Sequence, residues 1–337
     1  MGNNLIEKIV NIQKEIQFSG STFVKQGKTV LAQSCFGYAN RADQIENVVG
    51  TRYGIASGCK IFTAVAIGQL VEKGRLSFET KLNECLDLSF PHYHEDITVH
   101  HLLTHTSGIP DYFDEETMDD FEELWIEKPM YHMRRLQDFL PLFQNEQMKC
   151  NPGEKFHYNN AGFIVLGLIV EKLSGLVFTD YIQKYIFEKA GMENSGYFAL
   201  DSLPGKTAIG YIDNEDGSWK TNMYSLPIQG GSDGGAFVTV EDMESFWDSL
   251  INHKLLSKST TNKLLTPYAQ EEDGDYYGYG VWIKKKEENV YKYHVMGYDP
   301  GVSFHSAYYP TSDIRVVVCA NKSKGAYKVM SEIEKSC

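Results

Sequence analysis

Ser57-Gly58-Cys59-Lys60 sets a hydroxyl and an amine three residues apart at the start of a long apolar run. Positions i and i+3 share a helical face, so the Lys60 amine is expected to reach the Ser57 hydroxyl. An alcohol is a weak nucleophile until a base takes its proton, and a desolvated lysine can do that. The free N–H groups at a helix start, that of Ser57 among them, can hold a developing oxyanion. Alone the pattern says little, since any serine three residues ahead of a lysine satisfies it.

A second segment narrows the chemistry. Tyr158 and Asn160 form a Tyr-x-Asn element on the turn after Asn151-Pro152-Gly153, just ahead of an apolar run over 161–173. A lysine ammonium favours a neighbouring phenolate, so Tyr158 is expected to serve as general base or proton shuttle. The Asn160 amide can hold a substrate carbonyl or orient Lys60. Two competing chemistries are weaker. His101 and His105 stand four apart, the spacing by which two imidazoles share zinc, but no glutamate follows the first histidine as H-E-x-x-H requires. Zinc is therefore the weaker reading. Cys59 turns roughly 200° away from Ser57 on the helix, towards the core, and is read as an inert thiol.

The elements that must hold these residues follow from periodicity. Leu5, Ile9, Ile12 and Ile16 mark one face of a first helix, and a hairpin follows around Gln26-Gly27-Lys28. A helix over 57–73 is closed by Gly74. The middle is largely helical and includes an acid-rich stretch over 111–127, expected as a solvated helix or lid. Strand signals return over 278–284, 291–296, 302–309 and 314–320, and a last helix starts near Ala326. Strand-forming ends around a helical middle predict an α/β (α+β) fold: an antiparallel sheet flanked by helices, with an all-helical subdomain. The chain is read as a single catalytic domain over 1–337. Its α/β part comes from about 1–56 and 230–337 and its helical subdomain from about 57–229, with the site in the cleft between them.

Composition bounds the partners. The 337 residues carry a net charge of −13, which argues against nucleic acid and anionic membrane surfaces and for a small-molecule or peptide substrate. The apolar run over 163–170 is too short to span a bilayer, so no integral membrane segment is expected. The N-terminus lacks a basic region followed by an apolar stretch, which predicts a cytoplasmic chain; one whose leader had been removed would read the same and be extracellular. Six scattered cysteines without a CxxC pair suit free thiols in a reducing compartment. Oligomeric state is left open.

Longer segments carry a resemblance. Thr51-Arg52-Tyr53-Gly54-Ile55-Ala56-Ser57-Gly58-Cys59-Lys60, Leu102-Leu103-Thr104-His105-Thr106-Ser107-Gly108-Ile109-Pro110, the Pro-Gly-x-x-Phe-x-Tyr-x-Asn segment, Gly234-Gly235-Ala236-Phe237 and Tyr277-Gly278-Tyr279-Gly280-Val281-Trp282 occur in one order. Together they resemble the serine β-lactamase and penicillin-binding protein superfamily, and the class C β-lactamases within it, from about residue 20 onwards. The resemblance implies a β-lactamase/DD-peptidase-like fold and acyl transfer to Ser57, with Lys60 and Tyr158 moving the proton and with no metal and no organic cofactor. It also implies hydrolysis of the resulting ester, with a D-peptidase or esterase acting on small amides or esters as the favoured activity. A β-lactam- or peptide-binding sensor that acylates without efficient turnover is the alternative.

One family element departs. The family carries Lys/His-Thr/Ser-Gly on a strand facing the nucleophile, where this chain reads Tyr293-His294-Val295-Met296-Gly297-Tyr298. Aligning on Gly297 puts the Tyr298 N–H in the oxyanion hole and leaves Val295 and Met296 where a cation and a hydroxyl belong. Aligning on His294 keeps the basic residue. A one-residue slip turns a strand over, so the two registers exclude each other, and Gly297 is preferred. Lys206-Thr207-Ala208 imitates the missing element but lacks the glycine and lies far upstream.

Overall fold

The computed structural model describes residues 2–118, 120–271 and 274–336. Helix α1 (Gly2–Glu15) leads into a hairpin of β1 (Gly20–Gln26) and β2 (Thr29–Phe36). The remaining strands of the main sheet come late: β3 (Ala269–Gln270), β4 (Tyr276–Tyr277), β5 (Trp282–Lys286), β6 (Asn289–Asp299), β7 (Val302–Tyr309) and β8 (Ile314–Ala320). The eight strands lie in the order β2-β1-β8-β7-β6-β5-β4-β3, every neighbouring pair antiparallel. The hairpin thus joins the late strands through β1 and β8, paired from Gly20↔Ala320 to Gln26↔Ile314. The antiparallel sheet with helices on its faces is the fold expected from the sequence.

Every residue of β7 and β8 is buried. That is why Val316, Val317, Val318, Cys319 and Ala320 form an unbroken apolar run instead of an alternating one. Leu5 and Ile9 of α1, and Val329, Met330 and Ile333 of the last helix, pack with Val316 and Val318 on one side of the sheet. The other side carries the larger core, shared with the helical middle: α2 (Lys60–Glu72), α3 (Val99–Leu103), α4 (Asn160–Ser174) and α5 (Val240–Ile251). The last helix, α6, spans Ala326–Glu334. Helices α2 and α4 are apolar nearly all round because they are buried nearly all round. Among the described residues no single helix is long and apolar enough to cross a membrane.

Two expectations need correction. Residues 278–281 do not start a strand: the Gly278 N–H donates to the Val281 carbonyl in a turn, and Gly280 at φ +68° lies against Lys60 of α2. The acid-rich stretch is not a solvated helix. It is a loop with two short turns, Phe121–Glu123 and Leu124–Glu127, and Tyr112, Asp114 and Trp125 are buried. Its buried aromatic residues Tyr112 and Trp125 and its acids Asp111 and Asp114 tie it down. Cys35, Cys59, Cys85, Cys150 and Cys319 are unpaired; Cys337 lies outside the described residues.

Candidate active site

Ser57 sits in a tight turn, Ala56–Cys59, that runs directly into α2. Ala56 adopts φ +45°, a region that side-chain-bearing residues avoid at a cost of order 1–3 kcal/mol. The turn is held in place: the Ile55 N–H donates to the Ala236 carbonyl at 3.0 Å and the Gly235 N–H to the Ala56 carbonyl at 3.4 Å. Arg52, just upstream, bridges Thr207, so Lys206-Thr207-Ala208 serves as a backbone prop.

Lys60 is 1% exposed, and its Nζ lies 2.8 Å from each of Ser57 Oγ, the Asn160 side-chain oxygen and the Asp233 carbonyl. A buried amine needs partners for its hydrogens, and these three acceptors fit a charged ammonium. Two are carbonyl oxygens that can only accept. The position facing Ser57 is thus the one at which the amine can give up a proton and present its lone pair to the hydroxyl.

The Asn160 amide is oriented by its other end, whose N–H₂ group donates to Asp111 at 3.2 Å and to the Phe113 carbonyl at 3.4 Å. Asp111 also accepts the backbone N–H groups of Asn160 and Ala161 at the start of α4, at 2.7 and 2.8 Å. Burial nevertheless pushes its carboxyl up to about 7, those N–H groups and Lys60 only partly opposing it. Sequence reasoning missed Asp111; it follows Pro110 in a matched segment, but nothing local marks it as a support for Asn160.

His105 holds the Tyr158 turn. Its Nδ1 accepts the Asn159 N–H at 3.0 Å, its carbonyl accepts the His157 N–H at 2.8 Å, and its ring lies 4.4 Å from that of Tyr158. His101 Nδ1 accepts the Thr98 N–H at 3.2 Å in a helix cap. The two rings are therefore committed to the fold. Tyr158 stacks on Trp282 with Lys60 Nζ 4.9 Å from its ring centre. Its phenol is pushed well above 10, chiefly by burial and next by Glu115, while the nearby Ser57 side chain pulls the other way. The expected phenolate is thus corrected: desolvation holds Tyr158 as a neutral phenol. Burial likewise raises the Cys59 thiol to about 12 at a fully buried position, so it is no nucleophile.

Strand β6 closes the other side. It pairs with β7 without a slip, Gly297 opposite Phe304 and His294 opposite Ala307. Phe304 meets Gly58 of the nucleophile turn, whereas Ala307 belongs to the core beneath α1 and α6. Gly297 therefore faces Ser57, and a Cβ there would stand 2.1 Å from the Ile55 carbonyl and 2.9 Å from the Ser57 nitrogen. His294 is corrected out of the site: it stands three positions from Gly297 along the strand, an odd offset, so it faces the opposite side. There it lies 3.9 Å from Asp275 and burial keeps it neutral. Tyr298 is 47% exposed and hydrogen-bonds His305 with its phenol. Gly297→Ala is expected to destabilise the protein by roughly 1–3 kcal/mol through overpacking. It should also slow covalent labelling of Ser57; thermal unfolding and labelling rates measure the two effects.

A cavity of about 780 Å³ opens beside Ser57 and Asn160. Its wall includes Glu115, Asp120, Glu122, Asp233 and Asp299, while Lys220, the one basic residue among the described residues of its lining, is paired with Glu122 at 2.7 Å. Asp233, which sequence reasoning also missed, accepts a hydrogen bond from the Tyr112 phenol. Asp114, Glu116 and His157 form the one described group of side chains that could hold a metal ion, and none of them lines this cavity.

The fold is that of serine β-lactamases and penicillin-binding proteins. The chain itself belongs to the Beta-lactamase family, whose profile matches residues 13–332. It is 60% identical to a penicillin-binding protein of Bacillus halodurans of known structure, with a TM-score of 0.95 over 98% of this chain and 100% of that one. Penicillin-binding protein 4* of Bacillus subtilis is 30% identical over 79% of this chain, a match spanning 60% of that protein's length. A D-amino acid amidase from Ochrobactrum anthropi shares the fold at a TM-score of 0.81 over 99% of this chain and 98% of its own, at 18% identity.

Proposed function

We propose that this serine hydrolase, read as one catalytic domain, cleaves small esters or amides, peptides of D-residues among them, through an acyl-enzyme on Ser57. The observation that carries the proposal is the 2.8 Å contact between Lys60 Nζ and Ser57 Oγ at the edge of a large cavity. The Ser57 oxygen attacks the substrate carbonyl carbon as its proton passes to Lys60 in the free-amine state. The carbonyl oxygen, now negative, is received by the N–H groups of Ser57 and Tyr298. The carbon–oxygen or carbon–nitrogen bond then breaks, and the leaving group takes a proton relayed by the Tyr158 phenol. Water attacks the ester by the same steps in reverse order of proton transfer, releasing the acid and Ser57. The unpaired thiols of the five described cysteines suit a reducing compartment.

Among the described residues no free cation lines the cavity to meet a substrate carboxylate, and Val295 and Met296 supply neither charge nor hydroxyl. Neutral esters and amides are accordingly expected to be turned over better than carboxylated β-lactams. Each missing charge-assisted hydrogen bond is worth roughly 1.5–3 kcal/mol, or about tenfold or more in kcat/KM. A chromogenic cephalosporin and its methyl ester measure this directly. His294→Ala should leave their ratio unchanged; a strong preference for the free acid that this variant removes would put His294 back in the site. A stoichiometric adduct on Ser57 with no turnover of any ester or amide would favour the sensor over the catalyst.

A further inference from the structure

We propose that the cavity selects acyl donors carrying a free ammonium group, such as aminoacyl esters and amides, with Asp299 as the carboxylate that receives it. The inference rests on acylation of Ser57 and adds the chemical class of the acyl group. Asp299 lies two residues beyond Gly297 on β6, so both share the strand face turned to the nucleophile turn, and Asp299 lines the cavity with Ser57.

The cavity's other acids are engaged, Glu115 by the Asn160 side chain. Asp233 accepts the Tyr112 phenol, Glu122 takes Lys220 and the Ser225 hydroxyl, and Asp120 caps the Glu122 N–H at 2.8 Å. Asp299 makes no side-chain hydrogen bond and no ion pair with any described residue. Lys60, whose charge it feels, spends its donors on Ser57, Asn160 and Asp233. With Asp233 and Glu115 adding negative potential, burial raises the Asp299 carboxyl to about 7. An arriving ammonium relieves that repulsion and supplies the donor the carboxylate lacks. A divalent ion is the poorer occupant, because the described carboxylates that converge closely enough to hold one do not include Asp299.

Alanine p-nitroanilide in both hands, the N-acetyl derivatives and p-nitrophenyl acetate test the idea on the full-length protein. The free amine should exceed its N-acetyl derivative in kcat/KM by about tenfold or more. Asp299→Asn should bring that ratio to within about threefold of unity, and Asp299→Glu should keep a preference for the amine, which a merely structural role would not do. A wild-type ratio at or below one overturns the inference, as does a ratio that survives Asp299→Asn. If p-nitrophenyl acetate is turned over while the ratio is one, acylation of Ser57 stands and only the ammonium preference falls. If no substrate is turned over and Ser57 takes no label, both fall. The wild-type ratio decides the matter even if Asp299→Asn fails to fold.

Discussion

Ser57→Ala should abolish covalent labelling by a fluorophosphonate or a fluorescent penicillin and lower hydrolysis on the order of 10⁴–10⁶-fold. Among the described residues there is no second hydroxyl in this setting, one that meets a buried amine at 2.8 Å, sits behind a left-handed residue and faces a glycine-bearing strand. Cys59 cannot stand in, since it is buried on the far side of the turn with its thiol held protonated. Intact-protein mass spectrometry reads the outcome. An adduct of unchanged stoichiometry on the variant would sink the assignment.

Lys60→Ala and Tyr158→Phe are each expected to lower kcat by roughly 10²–10⁴, the range for groups that move a proton. The double variant should be little worse than either single one, because both serve one proton path through Ser57. The geometry gives the reason. Lys60 has a single position free to exchange a proton, the one facing Ser57, and Tyr158 is a neutral phenol that takes up a proton only as it gives up its own. Removing either interrupts the path. Multiplicative losses in the double variant would show two independent routes and would count against this mechanism.

The parts of the site that were legible in the sequence are those set by local geometry. Ser57 and Lys60 come together because three residues make about one helical turn, and Asn160 joins them because Asn159 caps α4 and fixes its start. The strand face of Gly297 followed from the pleat once the register was chosen. What was not legible depends on distant chain folding over the site. Asp111 and Asp299 look like ordinary surface acids in sequence, and only the tertiary fold shields them. The phenolate expected at Tyr158 failed for the same reason, since the neighbouring charge could be guessed but the loss of water could not. The acid-rich loop misled because its charges look solvated in sequence, while Tyr112, Trp125, Asp111 and Asp114 are tied into the fold.

The pairing of β1 with β8 has a consequence for biosynthesis. It joins Gly20 to Ala320, about 300 residues apart, so the sheet cannot close until nearly the whole chain has left the ribosome. Ser57 and Lys60 are made early, but Gly297, which forms the wall opposite them, arrives only with the late strands. A nascent or C-terminally truncated chain therefore carries the nucleophile without the pocket that gives it reactivity. Such a hydrolase stays inert towards its surroundings until synthesis is complete, with no inhibitory segment needed to restrain it.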